Sequence, residues 1–412
     1  MSKIYKNQNI VACLDIGSSK MLCIIASINI DGIEILGYSH KESKGISFGA
    51  ISDVKLAQKS IANTVAEAER MAGLNVDEIL IGISGSQVFS KREDVTTKIS
   101  KELVRQLDIF QAVDKVRNDY NKIQREAIHI IPLQYRIDDS PALENPRHLI
   151  GEKLFSRFHV VSASKNIISN IENCLKNSQL SVSSFMAETY ASALASLSDN
   201  EVNVGSLLID IGGSSTSFCL FYNGKLFYIG SILMGGSNVT KDISAILSVR
   251  FDIAEKIKNL NNTLIISPIE EKEIIKFKTA DNNEENIVTR ISREDLRNII
   301  ESRLAEILES VKNHLEKNNI SLQMIPNIVL TGGAAATIGI DKLAGEIFKK
   351  NVRIGYPAKF NLAPSELVNT SSTCALGMLI FLRNNFLNDR GKITVENKGS
   401  WFKKFLDKII NV

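Results

Sequence analysis

Twice in this chain an apolar strand runs into an Asp-x-Gly turn filled with hydroxyl side chains and emerges as a second apolar strand. The first copy is Ile10 to Leu14, then Asp15-Ile16-Gly17-Ser18-Ser19-Lys20, then Met21 to Ile28. The second is Ser206 to Ile209, then Asp210-Ile211-Gly212-Gly213-Ser214-Ser215-Thr216, then Phe218 to Tyr222. Asn223-Gly224 then turns the chain into Lys225 to Ile229, and Asn-Gly between apolar runs is a strong hairpin signal. A third glycine-rich turn, Thr331-Gly332-Gly333-Ala334-Ala335, follows Ile328 to Leu330 and precedes a helix expected over 339–349. Two copies of one unusual unit predict an internally duplicated α/β protein, one copy per lobe, with a ligand between the lobes. An Asp at a strand end can hold Mg²⁺ through water, while the glycine turn brings N–H groups and hydroxyls to phosphate oxygens. One such turn occurs in ordinary hairpins; two of them with the third turn, in this order, point to a nucleotide.

At 412 residues the chain is longer than a single hydrophobic core usually grows, so two or more lobes are expected. Its 44% apolar and 23% charged residues, with only seven Pro, predict a body folded throughout. The net charge of +3 is too small for the basic face that nucleic acid requires, so no nucleic-acid partner is expected. The five cysteines, Cys13, Cys23, Cys174, Cys219 and Cys374, are odd in number and lack CxxC spacing. They read as small buried hydrophobes in a reducing compartment. With no signal-peptide pattern and no apolar run approaching about 20 residues, a cytoplasmic location is expected.

Apolar residues at three and four spacing predict helices over 56–72, 167–177 and 292–315, the last opened by Ser292-x-x-Asp295. The stretch 91–158 breaks this pattern with a Gln-, Lys- and Arg-rich helix, His129-Ile130-Ile131-Pro132, and a polar segment holding Pro141 and Pro146. It is expected to be an inserted subdomain, and its His129, His148 and His159 are read as structural. The charged run 281–285 reads as a solvated loop between edge strands.

Residues 388–399 are polar without apolar periodicity and read as a linker. In 400–412, Trp401, Phe402, Phe405, Leu406, Ile409 and Ile410 fall on one helical face, with Lys403, Lys404, Asp407, Lys408 and Asn411 on the other. Such a helix suits a lipid headgroup region, and binding to anionic membrane lipids is expected. Complete burial of the six apolar side chains would yield about 10 kcal/mol, but interfacial burial is partial, so one copy should bind by only a few kcal/mol. Each lysine near an anionic surface adds about 1 kcal/mol. Many copies in a filament would bind tightly, because after one anchor lands the others act at high effective concentration.

In order and register, the three turns resemble the phosphate 1, phosphate 2 and adenosine motifs of the actin, sugar-kinase and seventy-kilodalton heat-shock chaperone superfamily. That resemblance implies an actin-like, ribonuclease H-like duplicated α/β fold of two lobes closing on ATP. Over nearly its whole length the chain further resembles the FtsA family of bacterial cell-division proteins. The residues that carry this are Ser84-Gly85, His129 to Asp138, Glu144-Asn145-Pro146 with Gly151, Ile328 to Ala335, Val352-Arg353-Ile354-Gly355, and Gly399 to Phe405. The segments at 129–132 and 144–146 are foreign to sugar kinases and chaperones and are similar to the 1C subdomain that FtsA carries in place of 1B.

The resemblance implies this organisation: 1–83 and 161–204 form lobe 1 (1A), 84–160 the inserted 1C, 205–240 and 292–365 lobe 2 (2A), and 241–291 the 2B subdomain. Residues 366–387 return to lobe 1, 388–399 are the linker, and 400–412 the membrane-targeting helix. It further implies that Asp15 and Asp210 attend Mg²⁺, with Gly17, Ser18, Ser19 and Lys20 lining the phosphate 1 turn. Gly212, Gly213, Ser214 and Ser215 would line the phosphate 2 turn, Gly332, Gly333 and Ala334 would lie against adenosine, and Glu301 would face the ribose and adenine. Arg297 and Arg303 are implied contacts for the C-terminal peptide of the tubulin-like FtsZ.

The family's second turn usually reads DxGGGT, whereas here Ser214 and Ser215 follow the glycines. A serine forced into the left-handed region would cost about 1 kcal/mol and reshape the turn, so ATP binding with at most weak hydrolysis is expected. The implied function is a self-assembling, peripheral protein tying FtsZ, and through it later division proteins, to the cytoplasmic face of the inner membrane at the division site. The alternatives are a kinase or phosphatase of the same fold, or another actin-like scaffold of the MreB or pilus-assembly type.

Overall fold

The computed structural model describes residues 9–176, 178–279, 287–358, 360 and 363–388. The charged run 281–285, the linker beyond 388 and the helix expected over 400–412 lie outside these residues. Two five-stranded sheets form the body, and they share one topology. In the first, Asn9–Ile16 pairs antiparallel with Lys20–Ile28, which pairs antiparallel with Ile33–Glu42. On its other side Asn9–Ile16 pairs parallel with Glu78–Ile83, and that strand pairs parallel with Ser181–Ala187.

The second sheet repeats the pattern: Ser206–Ile211, Thr216–Tyr222 and Lys225–Ile232 are the antiparallel meander, and Asn327–Thr331 and Asn351–Ile354 the parallel pair. Both hairpins predicted from the Asp-x-Gly units are therefore present. Asn223 and Gly224 both have positive φ, 50° and 75°, the backbone that a two-residue hairpin turn demands.

The expected helices are Val54–Ala72, Lys165–Lys176, Arg293–Lys317 and Ile340–Phe348. Val54–Ala72 starts where the Asp53 carboxylate accepts the Leu56 N–H and stops at left-handed Gly73. It and Lys165–Lys176 cover one face of the first sheet, burying Ile61, Val65, Ile168 and Ile171 against Leu14, Cys23 and Ile81. The other face is covered by Glu188–Ser196 and Thr373–Asn388, the latter bringing the chain back to the first lobe. These two helices cross so closely that a Cβ on Gly377 would strike the Ala191 carbonyl. In the second lobe Gly236–Leu247, Arg293–Lys317 and Ile340–Phe348 pack Val239, Ile243, Leu304, Ile307 and Phe348 onto one face of the sheet, around Phe218. The remaining face meets the first lobe's Glu188–Ser196, where Ala193 and Leu197 bury against Leu208, Cys219 and Val329.

The segment read as an insertion folds as a three-stranded antiparallel sheet, Val88–Lys98, Lys153–Ser164 and Arg125–Ile137, backed by the helix Gln106–Lys122. It has its own core of Ile109, Val113, Val116, Ile130, Leu154 and Phe158. All five cysteines are free and buried. Among the described residues no helix is long and apolar enough to cross a membrane.

Candidate functional site

Because the two sheets are related by duplication, their Asp-x-Gly turns emerge at the same end of each lobe and face one another. Between them lies a cleft of about 800 Å³, lined from the first lobe by Asp15, Gly17, Ser18, Ser19 and Lys20, and from the second by Asp210, Gly212, Gly213 and Ser215. The turns touch: the Ser214 hydroxyl donates to Ser18 Oγ at 2.7 Å, and a Cβ on Gly213 would collide with Ser19 Oγ. Ser18 Oγ also accepts the Gly49 N–H at 3.0 Å from a short hairpin behind it. Behind the second turn, the Gly236 and Ser237 N–H groups at the start of Gly236–Leu247 donate to the Gly212 and Gly213 carbonyls at 2.9 and 2.7 Å.

Three carboxylates share the cleft floor. Asp15 and Asp210 lie at the ends of their strands, and Glu188 opens the helix that follows Ser181–Ala187, the outer parallel strand of the first sheet. Each is half-buried and opens only on the cleft. Burial and the Asp210 charge push the Asp15 carboxyl well above the ordinary range, while hydrogen bonds from Cys374 and Glu188 partly oppose this. Burial raises Asp210 to about 6, against an accepted hydrogen bond from the Ser192 hydroxyl at 2.7 Å. Glu188 is held well above its usual value by burial and by both aspartates, and its Oε1 is a buried atom without a hydrogen-bond partner. Asp15 and Asp210, which both line the cleft, are the groups that could hold a divalent ion with water and phosphate as its other ligands, and its charge would lower both pKa values.

The third turn forms the far wall. Gly332 has φ +89°, and a Cβ there would strike Asp210 Oδ1 and the Ile211 backbone, so only glycine fits beside the second aspartate. Gly333 and Ala334 also line the cleft. Opposite them, Lys258 Nζ bonds Glu255 Oε2 at 2.6 Å, Thr240 Oγ1 at 2.8 Å and the Gly236 carbonyl at 3.2 Å.

Two expectations are corrected. Glu301 does not line the cleft: Arg293–Lys317 presents Ile300 and Leu304 there, while Glu301 pairs with Arg297 at 3.6 Å on another face. The acidic and basic groups at that wall come instead from Glu255 and Lys258, one helix earlier. Nor is the second turn strained, because neither Ser214 nor Ser215 has positive φ. Its glycines are needed for close approach rather than for a left-handed backbone. Arg303 is separated from Arg297: its guanidinium bonds Asp242 at 2.6 and 2.8 Å and pairs with Glu306 at 2.5 Å, on the wall of a second groove. Glu188, Cys374, Glu255 and Lys258 escaped the sequence reading. For Glu188 a signal existed, a carboxylate opening a helix directly after a strand of the first sheet.

A family model described as "Cell division protein FtsA" matches residues 207–377, and one described as "SHS2 domain inserted in FTSA" matches 85–162. The cell division protein FtsA of Buchnera aphidicola subsp. Baizongia pistaciae is 32% identical over 428 residues, spanning 100% of this chain and 99% of that protein. The chain belongs to the FtsA family. Its relative of that name from Agrobacterium fabrum is 30% identical over 387 residues, 91% of this chain and 87% of that protein. Solved structures with the same fold include the PilM–PilN type IV pilus biogenesis complex, with a TM-score of 0.66 at 16% identity over 90% of this chain and 98% of that one. MreB 5 of Spiroplasma citri bound to AMPPNP aligns with a TM-score of 0.56 at 15% identity, over 93% and 99%. The architecture is therefore actin-like and the function that of an actin-like cell-division protein; the kinase, phosphatase and other scaffold readings are not favoured.

Proposed function

We propose that this FtsA-family chain binds ATP with Mg²⁺ between its lobes, assembles into filaments, and holds FtsZ to the cytoplasmic face of the inner membrane at the division site. The opposition of two Asp-Gly turns across one cleft, in hydroxyl contact at 2.7 Å, is the observation that carries this reading. Ser18, Ser19 and Lys20 line the cleft with Gly212, Gly213 and Ser215, a set of hydroxyls, backbone N–H groups and one ammonium suited to phosphate oxygens. Gly332, Gly333 and Ala334, with Glu255 and Lys258, are the cleft-lining residues that would receive adenosine. Among the described residues no three acidic, His or Cys side chains are placed to hold a metal by themselves, so Mg²⁺ at Asp15 and Asp210 would keep water and phosphate as its other ligands. When bound, Mg²⁺ supplies the positive charge that the three carboxylates lack. Glu188, which lines the cleft and whose Oε1 is a buried atom without a hydrogen-bond partner, is the residue that holds an attacking water.

The second groove, lined by Asp242, Ile246, Ile274, Ile299 and Arg303, is the docking place for the FtsZ C-terminal peptide. Arg303 is already held by Asp242 and Glu306, so an acidic peptide must displace these partners and binds weakly and reversibly. Trp401, Phe402, Phe405, Leu406, Ile409 and Ile410, with Lys403, Lys404 and Lys408, anchor the assembly to anionic lipids. Later division proteins are recruited to this platform. Sedimentation with anionic vesicles tests the whole: the intact chain should pellet, more so with Mg-ATP, and a chain ended at Lys398 should stay in solution. Equal pelleting of both would end the reading of the last helix as the anchor.

A further inference from the structure

The His129-Ile130-Ile131-Pro132 segment passes through the joint between the insert and the lobes. Ile128 belongs to the first lobe's core, Ile130 to the insert's own core, and Ile131 packs on the cluster between the lobes. Pairing between Arg125–Ile137 and Lys153–Ser164 shifts register between Ala127 and His129, and an irregularity of this kind re-aims the side chain that follows it. The His129 ring turns from the insert toward the first lobe. It stands edge-on to Tyr190, 5.2 Å between centroids, and its Nε2 accepts the N–H of Ala187 at 3.1 Å.

Ala187 is the last residue before Glu188, and both His129 and Ala187 are fully buried. With Nε2 accepting, the ring carries its proton on Nδ1 and is neutral, and burial pushes its pKa down to about 3. Removing the acceptor would orphan a buried N–H at the residue that fixes where the Glu188 side chain begins. We propose that His129 is a positioning residue. By accepting the Ala187 N–H it sets Glu188 against Asp15 and Asp210, and it makes docking of the insert a condition for turnover in the cleft. This rests on the reading of Glu188 as the residue that holds the attacking water.

His159 supplies the control. It is equally buried in the same insert, but its Nε2 meets Ser90 Oγ at 2.5 Å, and Ser90 Oγ accepts the Ile229 N–H of the second lobe at 3.1 Å. Mg-ATP affinity and single-turnover hydrolysis are measured together on the full chain, His129→Leu, His129→Gln and His159→Leu. His129→Leu is expected to bind Mg-ATP within about twofold of the unaltered chain and to hydrolyse it at least about tenfold more slowly. His129→Gln, whose amide oxygen can stand where Nε2 stands, should recover most of the rate, and His159→Leu should keep it within about threefold. Should His129→Leu fail to fold, His129→Asn replaces it, since its shorter amide stops short of Ala187. The proposal is overturned if His129→Leu turns over normally, if affinity and rate fall in parallel, if Gln gives no rescue, or if His159→Leu loses as much. An unaltered chain that binds Mg-ATP without any turnover overturns the positioning role and leaves the nucleotide reading standing. Absence of binding overturns the nucleotide reading itself.

Discussion

The two Asp-x-Gly turns have nearly the same sequence and the same place in their sheets, yet they are supported differently. Asp15 is held by groups that share its protonation, the Glu188 carboxyl and the Cys374 thiol, both raised far above their ordinary range. Asp210 is held by fixed structure: a Ser192 hydroxyl from the first lobe on one oxygen and the Gly332 backbone against the other. Duplication gave the protein two equivalent hairpins. The helix Glu188–Ser196, which belongs to one lobe and packs on the other, made them inequivalent. In the proposed clamp the second turn is then the rigid half and the first the adjustable half.

The largest test of this contrast is Asp210→Ala, expected to weaken Mg-ATP binding by about a hundredfold or more in a fluorescence titration, with Asp15→Ala costing clearly less. A larger loss at Asp15 would reverse the assignment of rigid and adjustable halves. Next comes acidity. Asp210 is raised from 3.8 to about 6 in the fold, so the stability tied to its protonated form is complete below pH 4 and is lost as the pH rises through about 6. Asp210→Asn, neutral throughout, should match the unaltered nucleotide-free chain below pH 4 and exceed it above pH 6 by about 1 to 2 kcal/mol, after allowing for screening by water in the cleft. Urea midpoints across that range would show it, and a pH-independent difference would remove the burial cost assigned to the Asp210 carboxylate.

Gly332→Ala forces a Cβ into Asp210 Oδ1 at a backbone angle that only glycine adopts comfortably. It should cost about tenfold in ATP affinity while leaving the first hairpin intact by hydrogen exchange. The smallest effect is expected of Ser18→Ala, which removes the acceptor for Ser214 and Gly49 and should weaken binding by about two- to fivefold. If Ser18→Ala proves as damaging as Asp210→Ala, the contact between the turns, rather than the aspartate, carries the clamp.

Much of the fold was legible because its signals are local. Asn223-Gly224 with positive φ, Ser292 capping the long helix at Asp295, and the alternation of apolar runs with Asp-x-Gly turns are decided within a few residues of chain. The site was legible only in part. Asp15, Asp210 and the three turns carry their geometry in their own sequence, and the structure gathers them in one cleft. Glu301 was misplaced because its role came from resemblance alone; on the helix Arg293–Lys317 it is Ile300 and Leu304 that line the cleft, and Glu301 pairs with Arg297. His129 read as an ordinary buried histidine because its partner, Ala187, lies 58 residues away in another subdomain.

By itself, then, the sequence determined the duplicated hairpins, the glycines that permit close approach, and the presence of an insert, all matters of backbone preference and short-range pattern. Only the tertiary structure decided that Glu188 would share the cleft floor with the two aspartates, that Glu255 and Lys258 would line the cleft, and that an imidazole of the insert would bond the backbone just before Glu188. These depend on how separate elements pack, and packing is settled by long-range burial that no short stretch of residues encodes.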